Sequence, residues 1–279
     1  MYTYDDLTAD IRFLHRFGLA TGRIGVSAFG REIPFVRLGS AKDVVLVTAG
    51  IHAREAVSSL FAVRQLYRAA NEKLPCSLVF VPMVNPDGNI LVAHGAKAFG
   101  KQGETLLALN GGNADFSLWK ASATGVDLNV NFDADWGKGV QNGFAPAPAN
   151  YIGPRPTSEP ETRALCEFTL KLRPVLTVSY HAKGREIYFE FGQTGEAYER
   201  DRRIADRACA YTGYARIDGT RGSAGGYKDW CIRHLGIPAL TVELCDDALK
   251  HPLSDNAINE DFARAPLLPL ILYEYMQTQ

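Results

Sequence analysis

The sequence predicts one α/β domain built on a mixed, largely parallel twisted sheet with helices on both faces. Three observations carry that expectation. Short apolar runs of strand length alternate with segments of helical periodicity. The chain has 279 residues, 46% of them hydrophobic, enough to enclose a sizeable core. No repeat, low-complexity tract or linker interrupts it, so residues 1–279 read as a single domain. The 30 basic residues nearly balance the 31 acidic ones. With the apolar content, that balance excludes intrinsic disorder and a generally basic nucleic-acid-binding surface.

The elements follow in order. Around residues 4–18, Leu7, Ile11, Leu14 and Leu19 recur at helical spacing. Residues 33–38 and 44–48 are short strand-like runs, 54–70 reads as a helix, and 77–84 is an apolar strand. Asn85-Pro86-Asp87-Gly88 predicts a turn. Residues 95–157 are rich in Gly, Ala, Asn and Pro and weakly periodic, the mark of a functional loop. Ser158, with Pro160 and Glu161 behind it, predicts an N-cap and a helix running to residue 172. Strands at 175–180 and 187–191, helices at 196–211 and 225–235, a strand at 239–244 and a helix at 258–276 complete the chain.

No apolar run approaches the ~20 residues of a membrane span. The opening MYTYDDLTAD has neither the basic nor the apolar region of a secretory signal. Cys76, Cys166, Cys209, Cys231 and Cys245 are scattered and never spaced CxxC, which predicts free thiols in a reducing compartment. The expected setting is cytoplasmic, with neither nucleic acid nor membrane as partner.

Two of the six histidines end predicted strands. His52 follows 44–48 and His181 follows 175–180, and in open α/β sheets the carboxyl edge is where ligands bind. Glu55 stands three residues after His52, on the same side of a helix's first turn. Two imidazoles and a carboxylate with a fourth position open form the ligand set of a catalytic zinc rather than a structural one. Glu243 lies among Leu240, Val242, Leu244 and Cys245, where a carboxylate is costly to bury without a function or a partner. Taken singly, each feature has an ordinary reading: a surface helix start, a satisfied core histidine, a strand-end acid.

Taken together and in order, they resemble the zinc carboxypeptidase family. The motifs are His52-Ala53-Arg54-Glu55, Asn85-Pro86-Asp87-Gly88, Gly125-Val126-Asp127-Leu128-Asn129, the lone His181, and Glu243 within TVEL. IGVSAFGREI at 24–33 looks like the family's early hairpin, and SAGGYKDW at 223–230 also fits. The resemblance spans residues 4–276. It implies one zinc ion per chain held by His52, Glu55 and His181, with Glu243 as general base and acid. It implies that Arg54 helps bind substrate, that Asp127 orients the first zinc histidine, and that Asn129 helps hold the substrate carboxylate.

The departures point to the substrate. Family members read Asn-Arg-Asn where this chain has Asn129-Val130-Asn131, so the bidentate carboxylate fork is missing. Lys120 follows Trp119 where many members place the oxyanion-stabilising arginine. Arg221 falls where many carry a tyrosine, and Lys228 where digestive members line the side-chain pocket. Tyr227 is a candidate to close over the substrate. Positive charge is moved rather than lost, which suits a small peptide with several carboxylates in unusual places. The sequence looks most similar to the bacterial γ-D-glutamyl-diamino-acid peptidases, which act on peptidoglycan stem peptides. The expected activity is zinc-dependent hydrolysis of the γ-D-glutamyl-diaminopimelate bond. The alternatives are a carboxypeptidase for acidic C-terminal residues, an N-acyl amino acid amidohydrolase, and a metal-free binding protein with a decayed site.

Overall fold

Eight strands organise the chain in a computed structural model that describes all 279 residues. They are β1 (Ala20–Val26), β2 (Glu32–Leu38), β3 (Val44–Ala49), β4 (Ser77–Val81), β5 (Leu176–Ala182), β6 (Glu186–Tyr188), β7 (Ala215–Ile217) and β8 (Ala239–Leu244). They form one sheet in the order β1-β2-β4-β3-β5-β8-β6-β7. The pairs β3–β4, β3–β5, β5–β8 and β6–β7 are parallel, while β1–β2, β2–β4 and β6–β8 are antiparallel.

The helices are α1 (Tyr4–Arg16), α2 (Ala56–Ala69), α3 (Pro86–His94), α4 (Gln102–Leu109), α5 (Pro160–Leu172), α6 (Gly195–Thr212), α7 (Tyr227–Trp230), α8 (Asn259–Arg264) and α9 (Leu268–Met276). Central strands are buried on both faces, so they read as continuous apolar runs. In β3, Val45 and Val47 join Phe61, Leu66, Ala205 and Leu272 on one face. Val44 and Leu46 join Leu165, Tyr227 and Trp230 on the other. The predicted α/β class with helices on both faces is therefore what forms.

Several local expectations give way to stronger interactions. Asn85 to Gly88 is not a turn. Asn85 is the N-cap of α3, its side chain accepts from Gly88 N at 2.8 Å, and Pro86 opens the helix. Ser158 does not cap α5: Glu159 holds that position without a side-chain cap bond, and Ser158 Oγ donates to Glu159 Oε1 at 2.9 Å. The predicted helix 258–276 is broken. Pro266 disfavours a helical Ala265, which leaves the helix with φ −136°, and the chain restarts as α9. Helix 225–235 is α7 followed by a wider turn over Cys231–Leu235. The long loop holds α4 and two short 3-10 turns. The hairpin implied at 24–33 forms between β1 and β2, whereas residues 20–23 of β1 lie outside any predicted strand.

Glu161, expected as a capping acid, is recruited elsewhere. Its Oε1 accepts from Ala28 N at 3.0 Å in the β1–β2 turn, while its Oε2 is buried without a partner. Burial pushes its carboxyl up to about 7, and Asp87 and Glu159 add to the rise. A carboxyl with a raised folded pKa binds more protons folded than unfolded between the two values. Stability therefore falls as pH rises from about 4.5 to about 7, and the loss is complete above that. The penalty is roughly 2–4 kcal/mol. Glu161→Gln keeps an acceptor for Ala28 but does not ionise. Urea melts are expected to lose more stability between pH 5 and pH 8 in the wild type than in the variant, where the Glu243 carboxyl, also raised to about 7, still contributes; equal losses would refute the assignment.

Candidate active site

The site forms where three strands of the sheet end. His52 lies in the loop between β3 and α2, and Glu55 occupies the N-cap of α2 without capping it. His181 stands near the end of β5, directly opposite Glu243 in the parallel β5–β8 register. Gly50 makes the turn out of β3 possible. It has φ +62°, and a Cβ there would collide with the Ser59 hydroxyl. Asn85 locks the neighbouring loops, donating at 3.1 Å to both Ile51 O and Ala121 O.

His52, Glu55 and His181 are all buried. His52 Nδ1 lies 2.9 Å from Glu55 Oε1, His181 Nδ1 lies 3.4 Å from Glu55 Oε2, and the two Nδ1 atoms are 3.3 Å apart. Their ligand atoms lie within 4.8 Å of one another and could hold a metal ion. Tetrahedral bonds of ~2.0–2.1 Å place two ligand atoms about 3.3 Å apart, so the two imidazole nitrogens already stand at the spacing that a shared zinc requires. The donor set also fits: two neutral nitrogens and one carboxylate are a hydrolytic zinc's ligands. Glu55 is held well below the usual carboxylate range. Its burial opposes ionisation, but the two histidines outweigh it.

Behind this group lies Asp127, fully buried in the loop that the motif at 125–129 forms. Its Oδ1 is 3.4 Å from His52 Nε2 and its Oδ2 is 2.9 Å from Lys120 Nζ. Backbone amides of Asn129 and Asn150 also donate to it, each at 3.1 Å. Burial would raise its pKa, but Lys120 and His52 hold the carboxyl well below the usual range. A carboxylate on the far nitrogen of a ligand imidazole fixes its tautomer and raises its basicity. Asp127→Asn is expected to weaken zinc affinity about 10- to 100-fold. Competition with a fluorescent chelator measures this, and unchanged affinity would remove Asp127 from the metal's support.

A cavity of about 340 Å³ opens beside the metal group. His52, Lys120, Asn129, Lys228, Arg221 and Glu243 all line it, so residues far apart in sequence do converge. Burial pushes the Glu243 carboxyl up to about 7, against the pull of His181. Val130 lines the wall where the family's arginine is missing. Gly225, with φ +83°, lets that loop approach the segment carrying α7; a Cβ there would stand 2.8 Å from Val130 O.

One expected residue lies elsewhere, and a second stands beside the cavity, close enough for its charge to act on Lys120. Tyr227 does not close over the cavity. Its side chain is buried in the core, its hydroxyl bonds Thr169 Oγ1 at 2.7 Å, and its ring stacks on Trp230. Its apolar bulk is better satisfied among Phe132 and Trp230 than at a wet wall. Arg54 is not part of the cavity lining, and its guanidinium donates to Leu118 O at 3.5 Å. The candidate cations are each paired with a carboxylate: Lys228 with Asp229, Arg221 with Glu186 at 3.2 Å, Lys120 with Asp127. Sequence reasoning passed over Asp229 and Asn142, both of which line the cavity. Asp229 directly follows Lys228, and that adjacency was the available signal. Asn142 had none.

A buried imidazole–carboxylate–imidazole group beside a polar cavity, with the Glu243 carboxyl across from it in the sheet, has the features of a metal-dependent hydrolase. The comparisons with known proteins narrow that class. The chain matches the zinc carboxypeptidase family over residues 19–263 and belongs to it. It is 30% identical over 272 residues to gamma-D-glutamyl-L-diamino acid endopeptidase 1 of Lysinibacillus sphaericus, spanning 91% of this chain and 68% of that protein. Bovine thrombin-activatable fibrinolysis inhibitor superposes with a TM-score of 0.79 at 19% identity, covering 100% of this chain and 98% of that one. Murein-tripeptide amidase MpaA from Escherichia coli O157 superposes with 0.61 at 24% identity, covering 90% and 92%. At those identities the two structures establish the fold. No helix is long and apolar enough to cross a membrane.

Proposed function

We propose that this zinc metallopeptidase hydrolyses the amide bond between γ-D-glutamate and diaminopimelate in peptidoglycan stem peptides. One observation carries the reading. The metal group opens onto a cavity whose wall holds Val130 in place of the carboxylate-binding arginine, with cationic groups relocated to Lys228 and Arg221. A C-terminal α-carboxylate meets no fork there, whereas a substrate with carboxylates in unusual places meets several polar groups. The Lysinibacillus relative, named for a γ-D-glutamyl-diamino-acid bond, supports it. A preference for plain acidic C-terminal residues fits less well, because Asp229 stands beside Lys228 and repels a lone carboxylate. Five free cysteines suit a cytoplasmic setting.

His52, Glu55 and His181 would hold the ion, and Asp127 would keep His52 in one tautomer. Bound zinc supplies Lewis acidity to the scissile carbonyl and to the attacking water. Glu243 takes the water's proton and returns it to the leaving amine, a role that its pKa of about 7 suits. Lys120 supplies positive charge for the developing oxyanion, and Asn129 helps fix the substrate carboxylate. Incubating zinc-loaded protein with L-Ala-γ-D-Glu-diaminopimelate is expected to release diaminopimelate, identified by mass. α-Linked glutamyl peptides are expected to remain intact. Cleavage of the α-linked set alone would replace this reading with an acidic carboxypeptidase.

A further inference from the structure

Lys228 and Asp229 form an ion pair at 2.5 Å in the cavity wall, with side-chain exposures of 10% and 6%. Lys228 Nζ also donates to Glu190 O at 2.7 Å, and Asp229 Oδ2 accepts from Gly226 N at 3.0 Å. An ammonium has three donors and a carboxylate about four lone-pair sites. One donor and about two acceptor sites therefore remain on a pair that borders open space. The Phe191 ring lies 5.7 Å from the ammonium. Asp229 caps the start of α7 through Gly226 N, but that bond does not require a lysine beside it, and the desolvation of two buried charges offsets their attraction. A wall of this kind presents adjacent positive and negative charge, not the single positive charge that Lys228 alone suggests.

We propose that Lys228 and Asp229 together read a zwitterionic head group on the leaving side chain, with Lys228 receiving its carboxylate and Asp229 its ammonium. This rests on the reading of the chain as a peptidase for diamino-acid-containing peptides. The diaminopimelate side chain ends in such a head group. A side chain ending in a carboxylate alone meets Lys228 but is repelled by Asp229. A side chain ending in an ammonium alone meets the reverse. An apolar one desolvates the pair and returns nothing, so all three are selected against. Asn142 Nδ2 is a second buried donor without a partner in a residue of the same lining, a further site for a carboxylate oxygen.

The test uses three peptides, L-Ala-γ-D-Glu-X, with X as meso-diaminopimelate, L-lysine or L-2-aminopimelate. Binding to the zinc-loaded Glu243→Gln protein is measured by calorimetry, with Lys228→Met and Asp229→Asn added singly. The diaminopimelate peptide is expected to bind at least about 10-fold tighter than the other two. Lys228→Met is expected to shift preference to the lysine peptide, and Asp229→Asn to the 2-aminopimelate peptide. Asn at 229 retains an acceptor for Gly226 N, and thermal melts check that both variants fold. Equal binding of the three peptides, no binding at all, or uniform weakening in both variants would overturn the proposal. Cleavage by the unsubstituted enzyme is followed in parallel. Absent cleavage with the expected binding order overturns the proposed reaction alone, and cleavage without that order overturns the subsite alone.

Discussion

Glu243→Gln is expected to keep its zinc and lose hydrolysis, with kcat falling about 100- to 10,000-fold. Glu243 pairs directly across from His181 in the β5–β8 register and lines the cavity that the metal group opens onto. Burial has lifted its carboxyl to about 7, so one group can accept a proton and then release it near neutrality. Glutamine matches its shape and cannot ionise, so packing and substrate binding survive while proton transfer does not. The signature is a drop in kcat with KM little changed and zinc content still one per chain. Full activity, or a variant that has also lost its metal, would remove Glu243 from the proton-transfer role.

His181→Ala is expected to abolish both zinc binding and the stabilisation that zinc confers. Glu55, His52 and His181 stand close together and are buried. Zinc that binds only the folded chain stabilises it by about 4 kcal/mol at a free concentration 1,000 times its Kd. For a domain of this size, that corresponds to a rise in Tm of roughly 5–10 °C. Adding zinc to chelator-stripped wild type is expected to produce that rise and restore activity. The same addition to His181→Ala is expected to produce neither. A zinc-dependent rise of equal size in both proteins would place the ion elsewhere.

The sheet was legible because its central strands are buried on both faces. Runs such as 44–48 and 77–84 are apolar apart from Thr48 and Ser77, and the helices between them show period 3.6. The metal group was legible for a related reason: His52 and His181 each end such a run, so the topology must carry both to one edge. Strand β1 was harder to see. It is an edge strand with mostly exposed residues, and its sequence, ATGRIGV, has little apolar alternation. The Ser158 cap failed because local cap chemistry competes with distant partners, and Glu161 was taken by Ala28, 133 residues away. The helix over 258–276 failed at Pro266, a local signal that the apolar pattern overrode.

Sequence alone determined the α/β class and pointed to the three candidate metal ligands and to Glu243 beside them, because periodicity and strand ends are properties of neighbouring residues. Tertiary structure alone decided the electrostatics of the cavity. It joined Lys120 to Asp127, Arg221 to Glu186 and Lys228 to Asp229, and it turned Tyr227 inward. Charges interact strongly only within a few ångströms, and apart from Lys228 and Asp229 these partners are separated by 7 to 35 positions along the chain. A residue's type therefore announces that a charge exists, while the fold determines what that charge can still bind.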